Sequence, residues 1–146
     1  MVDHPEIEHP EIESLIRAAV HDYDDALAVG DARRATSWFA VAADDDDGDD
    51  GADGPTAGQR WVSRFGPTGE QFGAEQIAAA RAAQPATGPA ERIHDDVVTL
   101  DTDTALHLAV LRRDGADIQR TQVWRRRADG WRIVHAHVSQ RPAVAS

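Results

Sequence analysis

The run TALHLAVLRRDGADIQRTQVWRRRADGWRIVHAHVSQ, residues 104–140, decides the architecture. Apolar and polar residues alternate along it, and the alternation is interrupted at Arg113-Asp-Gly-Ala-Asp and at Ala128-Asp-Gly, where aspartate and glycine favour tight turns. It therefore reads as three antiparallel strands, at 104–113, 118–127 and 131–140. A fourth, at 91–100, precedes them across the turn signal Asp101-Thr-Asp. The second half of the chain is a β-meander.

Upstream, the period changes from two to near 3.6. Pro10 suits a first helical turn, Glu11 and Glu13 follow it, and apolar residues recur at Ile12, Leu15, Ile16, Ala19, Tyr23, Ala26 and Leu27, predicting an amphipathic helix that ends near Gly30. Asp31 is placed to cap a second helix, whose Ala35, Trp38 and Phe39 would pack on the same core. A short strand is expected at 60–65, then a Gly/Pro turn and a third helix at about 74–84, stopped by Pro85 and Gly88. Three N-terminal helices and a later meander make an α+β fold, with the helices covering one face of a curved antiparallel sheet. A sheet that curls around a helix leaves a cone whose concave side accepts a small molecule.

The chain has 146 residues, 41% of them apolar, and no cysteine, which suits one domain over 1–146 without disulfides or thiolate metal sites. The tandem His4-Pro-Glu-Ile-Glu and His9-Pro-Glu-Ile-Glu is too short to be a structural repeat. No apolar run approaches the ~18 residues of a membrane span, and the acidic start lacks the features of a secretion signal, so no membrane partner and a cytoplasmic address are expected. Net charge is −11, but seven of the aspartates lie between Asp44 and Asp53, and without them it is −4. A chain with this balance and no extended basic face does not suit nucleic acid. Residues 43–58, rich in Asp, Gly, Ala and Pro, are expected to form an exposed, flexible insertion, because no register of its glycines gives calcium-loop spacing.

Several residues are candidates for chemistry. Tyr23 lies on the apolar stripe between polar neighbours, so it points inward, either as a core phenol satisfied by backbone or as a donor in a pocket. Arg60 and Arg64 share a strand face and read as anion clamps or as solvent-exposed cations. Arg81, four residues after Ile77, enters the pocket or lies along its rim. His135 and His137 share a face with Trp131 and Ile133 by simple alternation, a spacing open to two metal ligands but lacking a third, so no metal is expected. His137 is instead an acid/base candidate or a histidine satisfied in the sheet. Gln122, on the face of Arg120 and Trp124, reads a ligand carbonyl or lies at an interface. With no P-loop, dinucleotide fingerprint or serine-nucleophile motif, the expected chemistry needs no cofactor.

The order of elements and the ending Asp129-Gly-Trp-Arg-Ile-Val-His-Ala-His-Val-Ser resemble the NTF2-like, or SnoaL-like, superfamily of cone-shaped α+β domains. More narrowly, His9-Pro-Glu-Ile with Tyr23-Asp-Asp-Ala-Leu, Arg64-Phe-Gly, Gly73-Ala-Glu-Gln-Ile-Ala-Ala-Ala-Arg-Ala-Ala-Gln-Pro, and Arg112-Arg-Asp-Gly with Gln122-Val-Trp look like the AtzH-like family, which includes HpxZ-like proteins of oxalurate catabolism. The resemblance spans about residues 9 to 140. It implies an enzyme acting on a small N-carboxylated urea by decarboxylation or decarboxylating hydrolysis. It also implies that a Tyr on the first helix and an Arg on the first strand work together, here Tyr23 and Arg64.

The leading expectation is thus that Arg64 holds a carboxylate of a small anionic ligand and Tyr23 donates a hydrogen bond or proton. His137, Gln122, Arg81, Trp38 and Phe65 are expected to complete the pocket. Two rivals use the same cone: a non-catalytic binding or accessory protein, and a cyclase, isomerase or dehydratase pairing His137 with Asp95 or Asp96. In each case a homodimer is expected through the outer sheet face.

Overall fold

The computed structural model describes residues 9–41 and 62–143; the acidic insertion, Arg60 and the first copy of the tandem motif lie outside them. Helix α1 spans Pro10–Val29, with Pro10 in its first turn and Glu11 and Glu13 beside the N-terminal dipole. It ends at Gly30, whose left-handed φ of 79° lets the chain turn back while the Gly30 and Asp31 amides satisfy the Leu27 and Ala26 carbonyls. Its stripe of Ile12, Ile16, Ala19, Val20, Tyr23 and Ala26 is buried, whereas Leu15, expected on it, is 54% exposed at its flank. Asp31 caps α2 (Ala32–Thr36) by accepting from the Arg34 amide at 3.1 Å. This helix is one turn long. Trp38 to Ala40 leave it extended, exchanging backbone hydrogen bonds with Ile133.

The short strand is β1 (Ser63–Gly66), and the expected plain turn after it contains a second strand, β2 (Gly69–Phe72). Helix α3 (Ala74–Ala82) follows, then β3 (Glu91–Asp101), β4 (Thr104–Arg113), β5 (Ala116–Arg127) and β6 (Gly130–Pro142). The sheet order is β2-β1-β6-β5-β4-β3, antiparallel except where β1 runs parallel to β6. The β4–β5 connection is the two-residue loop Asp114-Gly115, both at positive φ (56° and 75°), the geometry that matches strand twist and that Asp-Gly favours.

Three register slips interrupt the sheet, one of them between Thr99 and Asp101 in β3–β4. In β3–β4 the register slips between Arg92 and His94, and in β5–β6 Trp124 faces Ile133 while Val123 faces His135, leaving Val134 as the extra residue of a β-bulge. The bulge resets the alternation of β6. Trp131 and Ile133 are buried under the helices, and beyond the bulge Ala136 is, so His135 and His137 fall on the outer face and do not share one with Trp131 and Ile133 as alternation predicts.

The main core lies between α1, α2 and the inner face, centred on Ile16, Val20, Phe39, Trp124 and Ile133. Ala109, Leu111 and Ile118 form a second, smaller cluster with Ala90 and Val138. Among the described residues, no helix is long and apolar enough to cross a membrane.

Candidate functional site

Inner-face residues fall into rows across the sheet, read from the strand registers. One row carries Arg92, Leu111, Ile118 and Gln140; the next Asp95, Ala109, Arg120 and Val138; the third Val97, His107, Gln122, Ala136 and, on β1, Arg64. The main core covers the remainder. Over the first two rows, bounded by α1 and α3, the helices leave a cavity of about 350 Å³. Tyr23 from α1, Arg64 from β1 and Arg81 from α3 all line it, so the structure brings together the two principal candidates and one of the secondary ones.

Tyr23 is 3% exposed and meets Phe39 edge-on, with ring centroids 6.0 Å apart. The Arg120 guanidinium carbon lies 5.7 Å from the centre of its ring. Among the described residues its hydroxyl has no hydrogen-bond partner, which leaves it to a ligand in the cavity. Arg64 donates from Nη1 to Gln71 Oε1 at 3.2 Å and forms no carboxylate pair among the described residues. Its guanidinium lies over Gly66, where a Cβ would sit 3.0 Å from Nη1. A side chain there would have to push the guanidinium aside by a few tenths of an ångström. Burial lowers the Arg64 pKa from its ordinary value, and the Arg81 and Arg120 cations act in the same direction, opposed by Tyr23. A guanidinium stays charged under such pressure, so it favours an anion close by.

Two other arginines of the wall, Arg92 and Arg120, are occupied. Asp24 accepts from Arg120 Nη1 at 2.7 Å and Nη2 at 3.1 Å, and from Arg92 Nη2 at 2.6 Å. Burial opposes ionisation of Asp24, but Arg120 and Arg92 outweigh it and hold the carboxyl below its usual range. Arg92 also reaches Asp95 at 3.1 Å, and Asp95 Oδ1 meets Arg17 Nη1 at 3.1 Å and His107 Nε2 at 2.7 Å. Burial keeps His107 below its ordinary pKa, helped by Arg120 and opposed by Asp95. With Asp95 ionised and His107 neutral, Nε2 carries the ring proton and donates it to the carboxylate. This network was not singled out from the sequence. Its signal was there: Arg120 shares the inward register of β5 with Gln122 and Trp124, and a charge in that register requires a partner.

The remaining candidates stand elsewhere. His137 lies on the outer face beside Phe65, ring centroids 6.1 Å apart, and lines a groove there with His94 and Thr121. Phe65 follows Arg64 on β1 and so takes the opposite face, 39% exposed against Phe72 and His135. Gln122 is on the inner face but fully buried, its Oε1 accepting from Trp124 Nε1 at 3.1 Å. Trp38 packs edge-on against Trp124 and donates to Asp22 at 2.7 Å. These four do not line the cavity. The expected dehydratase pair is not assembled either: Asp95 is engaged by His107 on the inner face, and Asp96 shares the outer face with His137 but stands three strands from it, with Leu108 and Thr121 between them.

A charged, partly apolar cavity closed by helices on a curved sheet has counterparts among known proteins. The search of curated proteins finds no match. Among solved structures, a protein of unknown function from the DUF3225 family of Pectobacterium atrosepticum aligns with TM-score 0.75 and 24% identity, over 93% of this chain and 95% of that one. A cystatin-like fold protein from Burkholderia xenovorans aligns with TM-score 0.75 and 26% identity, over 93% and 96%. A candidate dehydratase of the NTF2-like family from Streptomyces avermitilis aligns with TM-score 0.68 and 21% identity, over 94% and 100%. Residues 57–143 match the profile of the AtzH-like family, a stretch that holds Arg64, Arg81, Arg92 and Arg120. The chain belongs to the AtzH-like family and has the cystatin-like, NTF2-like fold.

Proposed function

We propose that this protein is a cofactor-free enzyme that decarboxylates a small carboxylated amide or ureide of nitrogen catabolism, the chemistry implied by its resemblance to AtzH-like and HpxZ-like proteins. The observation that carries the reading is the placement of Arg64 and Tyr23 in one cavity. Among the described residues, Arg64 is a half-buried cation without a carboxylate partner and Tyr23 is a buried phenol whose hydroxyl has no hydrogen-bond partner.

In loss of CO2 from an N-carboxylate, the electrons of the breaking C–N bond pass to nitrogen, which must gain a proton. Tyr23 donates that proton and is reprotonated from water, so atoms and charge balance without a metal or redox partner. Gripping the departing carboxylate tightly would stabilise the ground state as much as the transition state. Arg64 therefore holds a second, non-reacting carboxylate and orients the substrate through it.

The test is CO2 release from N-carboxylated ureas by the wild type, Tyr23→Phe and Arg64→Ala. Removing the phenol lowers kcat by about 10²–10⁴-fold with little change in KM, and removing the guanidinium acts mainly on KM. Binding of such ureas without CO2 release identifies a binding protein and ends the enzyme reading.

A further inference from the structure

We infer that the part of the substrate retained after loss of CO2 carries two carboxylates, one held by Arg64 and the second by Arg81. This rests on the anion clamp proposed above and names the substrate class, an N-carboxylated ureido dicarboxylic acid.

Five arginines line the cavity, Arg64, Arg81, Arg92, Arg113 and Arg120, against two aspartates, Asp24 and Asp25. Asp24 pairs with Arg92 and Arg120, and Asp25 is exposed and acts on Arg34, which does not line the cavity. Among the described residues, Arg64, Arg81 and Arg113 therefore face the cavity without a carboxylate partner. The chain as a whole carries −11, so this local surplus of positive charge runs against the field of the molecule that holds it.

Of the three, Arg64 and Arg81 are the pair that one small ligand can meet together. Arg81 stands in the last turn of α3, one turn after the buried Ile77. Ile77, Ala80, Arg81 and Gln84, spaced three and four apart, form the face that α3 turns to the cavity. Arg64 enters from β1, against which α3 packs, and the charge of Arg81 is close enough to act on it. Arg113 is remote from both: three inward positions of β4, roughly 20 Å of strand, separate it from His107, whose row holds Arg64. Two like charges that share a pocket poor in water repel each other. One carboxylate between them leaves a positive charge uncompensated. Two carboxylates compensate both, each through the forked hydrogen bonds that a guanidinium offers.

The experiment is isothermal titration with N-carbamoylaspartate and N-carbamoylasparagine, stable ureido acids of one shape that differ by a single carboxylate. Wild type, Arg81→Gln and Arg64→Ala are compared. The aspartate compound is expected to bind wild type at least about tenfold tighter, the scale of one charge-assisted hydrogen-bonded pair, although the net charge of the chain opposes it. Arg81→Gln should bring this ratio to near unity. It should also keep the wild-type far-UV circular dichroism, because Arg81 is half-buried and has no side-chain partner among the described residues. Arg64→Ala should weaken both compounds and leave the ratio standing. A wild-type ratio near or below unity overturns the inference, as does a ratio that survives Arg81→Gln. Equal weakening of both compounds by Arg81→Gln also overturns it, by putting both arginines on one carboxylate. In each of these cases the clamp stands if Arg64→Ala still weakens carbamoylasparagine. Binding indifferent to Arg64→Ala, or no binding of either compound to wild type at millimolar concentration, overturns the clamp and, with it, the inference.

Discussion

At the scale of single residues, the most exacting position in the cavity wall is Asp24. Its carboxylate is 21% exposed and holds two arginines, one of which, Arg120, is 5% exposed. Removing one partner of such a group leaves the other charges desolvated and uncompensated, which costs more than the ion pair itself contributes. Asp24→Asn keeps the shape and removes the charge. It should lower stability by about 3 kcal/mol in urea unfolding, with far-UV circular dichroism unchanged. Its pH signature follows from the direction of its shift. The folded carboxyl has a lower pKa than the ordinary 3.8 expected for the unfolded chain, and Asp95 behaves alike. The stabilisation is therefore complete above about pH 5 and is lost as pH falls through 3.8 towards the folded values. Melting temperature measured between pH 6 and 2.5 should fall steeply for wild type on the acid side and less steeply for Asp24→Asn. Parallel curves would show that Asp24 does not couple to folding.

At the scale of elements, the feature that organises the site is the bulge at Val134. Strand β1 pairs with the part of β6 beyond it, Ser63 to His135 and Arg64 to Ala136, so the bend in β6 sets where Arg64 stands relative to Tyr23 on α1. Deleting Val134 removes the extra residue without turning any later side chain to the other face, because Ile133 and Ala136 keep their inward parity. The variant should fold with its strands intact. It should also lose at least tenfold in carboxylate affinity, read by titration with N-carbamoylglycine, because β1 is carried with the straightened strand. Unchanged affinity would mean that the bend does not place the clamp. The same bulge explains what was legible in the chain and what was not. Alternation and the Asp-Gly turns located all four meander strands to within a few residues, and the 3.6 period found α1 with Tyr23 facing inward. Nothing in the composition of WRIVHAH marks Val134 as the extra residue, so period two carried His137 to the wrong face. Likewise β2 is four residues with no apolar alternation, held by pairing with β1 alone, and such a strand leaves no local signal.

At the scale of the whole molecule, all three described helices lie on one side of the six-stranded sheet, so its other face has no cover from the described residues. That face carries Leu106, Leu108 and Val110 from β4 and Val123 from β5, all only partly buried, with Val98 and Phe65 exposed at 37% and 39%. A broad apolar face of this kind is a liability for a monomer. We propose that a second copy of the chain covers it. The face suits a two-fold contact because its apolar residues lie on the middle strands, where a copy related by an axis parallel to the sheet, between the two faces, presents the same residues in return. Sedimentation equilibrium at neutral pH should give twice the 15.8 kDa chain mass. Leu108→Glu places two like charges near the axis of the dimer and should give a monomer that keeps its helical and β content and still binds N-carbamoylglycine, because the cavity lies on the opposite face. A wild type that sediments as a monomer at micromolar concentration would remove the second copy as the occupant of this face. A Leu108→Glu dimer would place the interface elsewhere on the molecule.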